Sequence, residues 1–81
     1  MKIYKTDKEE QETNIVVDYY SRMVIFYTSK KVVIQRLIKQ LPEPNEIYYT
    51  KNEVSGVTWR IAFKDKKALR KLFSKTLIIG T

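Results

Sequence analysis

The apolar residues of this chain fall into two strand-like runs followed by one helical stripe, and the same order then appears again. N-I-V-V-D-Y and M-V-I-F-Y-T, rich in β-branched and aromatic side chains, read as two strands around Tyr20-Ser21-Arg22. A three-residue loop there sets Tyr19 opposite Met23, Val17 opposite Ile25 and Ile15 opposite Tyr27 on one core face. Ser29 is placed to cap K-K-V-V-I-Q-R-L-I-K-Q-L, in which Val33, Ile34, Leu37, Ile38 and Leu41 form a single stripe. Pro42 and Pro44 end that helix.

The second half follows the same plan. Ile47 to Glu53 and Val57 to Lys64 read as strands joined across Val54-Ser55-Gly56, with Val57, Trp59, Ile61 and Phe63 alternating onto one face. Asp65 is the next cap, and Leu69, Leu72 and Phe73 make the stripe of a second helix, with Lys67, Arg70, Lys71 and Lys75 opposite. The closing T-L-I-I-G-T is a candidate short fifth strand. Met23, Ile25 and Tyr27 overlay on Trp59, Ile61 and Phe63, as a duplication or a common unit used twice would produce. The expected fold is α+β in the order ββαββα: a four-stranded, mainly antiparallel sheet with both helices on one face. Residues 1–12 lack periodicity and read as a mobile or irregular lead-in, leaving 13–81 as a single α+β domain.

Composition bounds the chemistry. With no Cys and no His, the chain lacks a thiolate nucleophile, a disulfide framework, the usual neutral-pH general base and most zinc-ligand sets. Asp18, Glu43, Glu46, Glu53 and Asp65 are placed as solvated or capping residues, not as a carboxylate pair in a cleft. Gly56 and Gly80, the only glycines, do not lie between a strand and a helix, so no phosphate-cradling loop is present. Thr28-Ser29-Lys30-Lys31 could meet an anion at a helix start, but capping is the simpler use of Ser29. The reading is of a non-enzyme without cofactor or metal. The longest apolar run is the five residues Met23 to Tyr27, too short for a membrane span. A charged beginning and the absence of Cys point to the cytoplasm.

Charge is distributed unevenly. Positions 1–12 hold three lysines against four acids, whereas Arg60 to Lys75 holds seven basic residues and one acid. With a net charge of +7, this clustering points to nucleic acid, DNA or RNA, as a partner. Tyr49, Lys51, Arg60, Lys64, Lys67, Arg70, Lys71 and Lys75 are the candidate contacts, Tyr49 by stacking and the cations on phosphates. Under the register above, Val16, Tyr20, Val24 and Phe26 form an apolar patch away from the core. That patch is a candidate interface for a homodimer or for an acidic protein partner.

Y-T-S-K-K-V-V-I-Q-R-L-I-K-Q-L, residues 27–41, resembles small uncharacterised phage and prophage proteins of Gram-positive bacteria. The shared features are an apolar strand ending in Tyr-Thr-Ser and a helix with a basic residue and Leu at matching spacing. Thr58-Trp59 resembles a Thr-aromatic pair that follows a turn in the same group. The resemblance implies a mobile-element origin and carries no activity with it.

Overall fold

The computed structural model describes residues 2–4 and 11–79, of which 75–79 are described as helix backbone only. The elements are β1 (Thr13–Asp18), β2 (Met23–Thr28), α1 (Lys31–Gln40), β3 (Glu46–Thr50), β4 (Glu53–Ala62) and α2 (Lys66–Ile79). The strands make one antiparallel sheet in the order β1-β2-β4-β3. Val33, Ile34 and Leu37 of α1, with Ala68 and Leu72 of α2, join Val24, Phe26, Val57, Trp59 and Ile61 in one buried core. Both helices therefore lie on one face of the sheet, as the two stripes predict.

The first hairpin differs from expectation by one residue, and the difference reverses β2. Asp18 pairs with Met23, so the loop holds four residues, Tyr19 to Arg22, and Ile15 lies opposite Phe26. The Ser21 amide donates to Asp18 Oδ1 at 3.1 Å, and Arg22 closes the loop in the left-handed region at φ 55°. That amide above all, helped by the Ser21 hydroxyl, holds the Asp18 carboxyl below its ordinary range. A one-residue slip exchanges the faces of a strand. Val24 and Phe26, expected outside, point into the core, with Phe26 fully buried at 0% exposure. Ile25 and Tyr27 take the open face instead. This choice buries a phenyl ring and spares the tyrosine hydroxyl a search for an internal partner.

The second hairpin also turns elsewhere. Its tip is Lys51-Asn52, both left-handed at φ 51° and 66°, the signature of a two-residue type I′ turn. Gly56 belongs to β4, not to a turn. The Tyr27 ring lies across it, so that a Cβ would meet Tyr27 Oη at 2.8 Å. A register shift between Tyr48 and Tyr49 turns Val54 back into the core.

Ser29 does not cap α1: the cap residue is Lys30, with no side-chain cap bond. Instead Ser29 is buried and pinned to Glu12, accepting from its amide at 2.8 Å and donating its own amide to the Glu12 carbonyl at 2.8 Å. Asp65 does cap α2, accepting from the Ala68 amide at 3.2 Å. The proposed fifth strand is absent, because α2 continues through Ile79; Gly80 and Thr81 lie outside the described residues. Within the lead-in, residues 2–4 are docked: Ile3 bridges Val54 in parallel and packs on the core. The expectation for 5–10 falls outside the described residues. Among the described residues no helix is long and apolar enough to cross a membrane.

Phe26→Ala should lower the unfolding free energy by about 3–5 kcal/mol, the usual consequence of emptying a buried phenyl site. Val16→Ala, on a half-exposed side chain, should change it by about 0.5 kcal/mol or less. Urea unfolding followed by Trp59 fluorescence measures both.

Candidate polyanion-binding surface

Neither α1 nor α2 contains a single Asp or Glu, while together they carry eight Lys or Arg residues. Packing fixes where those charges go. Ala68 and Leu72 bury one side of α2, which leaves Lys66, Lys67 and Arg70 exposed and Lys71 half-buried. Burial of Val33, Ile34 and Leu37 likewise leaves Arg36 and Lys39 exposed on α1. The ion pairs among the described residues are Lys2–Glu53 and Arg60–Glu46, so none of these helical cations has an acidic partner among the described residues. Lys67 and Lys71, one turn apart, line with Asp65 a shallow groove between α2 and the Gln40-Leu41-Pro42 end of α1.

The predicted site therefore divides. Lys64, Lys67, Arg70 and Lys71 belong to α2 and the turn leading into it. Lys75 lies on α2, but its side chain is outside the described residues. Arg60 is on the opposite side of the sheet: it pairs with Ile25 on the open face and is engaged by Glu46. Tyr49 sits past the register shift on the edge strand and pairs with Val54, and Lys51 is at the hairpin tip. Neither Tyr49 nor Lys51 joins the helical cations. The signal that sequence reasoning passed over is the acid-free composition of α1, which adds Lys31, Arg36 and Lys39 to the basic layer.

The expected apolar patch divides as well. Val24 and Phe26 are core residues, whereas Val16 and Tyr20 are outside at 54% and 99% exposure. The aromatic feature of the open face is Tyr27 edge-on to Tyr48, with ring centroids 5.8 Å apart. Tyr48 donates to Glu46 Oε2 at 2.5 Å. Burial above all, and then the Glu12 charge, push the Tyr27 hydroxyl above its ordinary range. Among the described residues no group of three or more acidic, His or Cys side chains gathers as a metal site would require.

No family model, no curated protein and no solved structure matches the chain. The geometry alone therefore carries the functional argument.

Because Tyr27 keeps its proton longer in the folded than in the unfolded chain, the unfolded state binds fewer protons above the ordinary tyrosine range, about 10, and stability falls there as pH rises. Ultraviolet titration of phenolate should lose a late-ionising step in Tyr27→Phe. Loss of the late step in Gly56→Ala would mark displacement of the same ring.

Proposed function

We propose that the chain is a non-enzymatic binding module that holds nucleic acid against its helical layer, with Lys67, Arg70 and Lys71 as the central phosphate contacts. The observation that carries this reading is the acid-free pair of helices, packed together on one face of the sheet with no ion pair to their cations among the described residues. Folding does not account for that arrangement. Lys31 and the Lys66-Lys67 pair sit in the first turns of their helices, where the macrodipole disfavours positive charge by about 0.3–1 kcal/mol each. A polyanion lying across the helices turns that penalty into attraction.

The chemistry available is phosphate contact rather than base reading. Lysines and arginines along a helical surface follow a backbone and fix no sequence. Arg60, on the open face, and Tyr49, on the edge strand, have no part in the reading. Lys64 and Lys75 extend the basic stretch along the chain. An accessory protein of a mobile element is the setting we propose for such a module.

Fluorescence anisotropy with a labelled DNA duplex tests the proposal. Log affinity should fall linearly with log salt, at a slope of about −0.9 per phosphate neutralised. Lys67→Glu with Lys71→Glu should weaken binding and make that slope shallower by about 2, one unit for each lost phosphate contact. Arg60→Ala should leave both unchanged. Absence of any signal at low salt with duplex or single-stranded DNA or RNA would overturn the reading.

A further inference from the structure

The loop of the first hairpin and the turn into α2 meet at one end of the sheet, around an open recess of about 740 Å³. That volume is in the range of small-ligand sites, roughly 300–1,000 Å³. Tyr19, Ser21 and Arg22 line it from the loop, with Ala62, Phe63 and Lys64 from the end of β4 and the turn. The Phe63 amide donates to the Arg22 carbonyl at 2.9 Å, so the two walls are joined through backbone.

Folding does not account for the side chains gathered here. Tyr19 is 79% exposed and meets Phe63 edge-on, with ring centroids 6.1 Å apart and planes at 73°. Arg22 holds left-handed backbone at φ 55°, a position that glycine fills at no steric cost. Neither Arg22 nor Lys64 is in an ion pair among the described residues. The acids nearest in sequence are engaged elsewhere. Asp18 accepts from the Ser21 amide and Asp65 from the Ala68 amide, and neither lines the recess. An open aromatic ring and two cations on one recess match the two parts of a nucleotide, a flat base and an anionic phosphate.

We infer that this recess takes one unstacked base of a single strand, with Tyr19 stacking on it and Arg22 and Lys64 on the adjoining phosphates. The inference rests on the nucleic-acid reading and deepens it by selecting a single strand, since a base inside a duplex has no free face to offer. Every base has a face to stack, so the recess holds a strand without reading its sequence. Lys64 stands two residues before Lys66, the first residue of α2, so the recess adjoins the start of the basic helical layer.

Fluorescence anisotropy provides the test, with a labelled oligothymidylate, a strand of equal phosphate count built on abasic spacers, and the DNA duplex. The oligothymidylate should bind at least about fivefold more tightly than the abasic strand, the lower bound for stacking one base. Tyr19→Leu should remove that margin while leaving the abasic strand and the duplex unchanged, and Tyr19→Phe should keep it. Arg22→Gly, which the left-handed turn accepts, should make the salt slope on the oligothymidylate shallower by about 0.7. Equal binding of the two strands, a margin that survives Tyr19→Leu, or a slope unmoved by Arg22→Gly would each overturn the inference. So would full displacement of the strand by thymidine monophosphate at equal nucleotide concentration, which would make the ligand a free nucleotide. The two ideas fail separately. A Tyr19-dependent margin, with binding indifferent to Lys67→Glu and Lys71→Glu, refutes the helical surface alone. Binding that those two changes weaken, with no margin for the base, refutes the recess alone.

Discussion

The contact between Phe26 and Trp59 across β2 and β4 holds the rest of this molecule in place. They are register partners on the two central strands, with ring centroids 6.4 Å apart and essentially no exposure. Two aromatic rings in a domain this small supply a large share of the apolar surface that must leave water. The Trp59 indole also donates to the Pro42 carbonyl at 2.8 Å, which satisfies its N–H and fastens the end of α1 to the sheet. A single pair thus joins both layers.

That contact decides what the surface displays. With Phe26 inward, Ile25 and Tyr27 must face outward, and Gly56 must leave room for the Tyr27 ring. With Trp59 inward, Arg60 is sent to the open face, where Glu46 engages it. The helices close over the aromatic pair and present everything their stripes do not bury. In these helices every charge in that remainder is cationic, so the hydrophobic core and the basic surface are two sides of the same residue pattern.

The helices were legible because their information is local and redundant. Four apolar positions in α1, with Leu41 just past its end, agree on one face, and Asp65 caps α2 with an ordinary short-range bond. Strand existence was legible for the same reason. Turn position was not. The sequence offers Gly56 as the obvious breaker, yet the chain turns at Lys51-Asn52, where two residues with side chains accept left-handed backbone. The glycine answers a long-range need, the approach of Tyr27 from a neighbouring strand, and no local pattern announces it. In the first hairpin, Asp18 capping a four-residue loop shifts the register by one, and every side chain of β2 changes face. The candidate patch at Val24 and Phe26 fell with that step, whereas Lys67 and Arg70 of α2 are exposed as expected because helical phase does not depend on a turn.

Connectivity explains why β1 is left bare. α1 leaves β2 and must deliver the chain to β3, on the far side of β4, so it passes over β4. α2 follows β4 and packs against α1. Both helices are thereby drawn away from β1, which precedes them in the chain and has no crossover of its own. Ile15, Val16 and Val17 have the composition of a half-buried strand and the exposure of a surface one, and nothing local accounts for the mismatch. A register set by Phe26 fixes β1 to β2 while leaving its apolar side chains more than two-fifths exposed among the described residues.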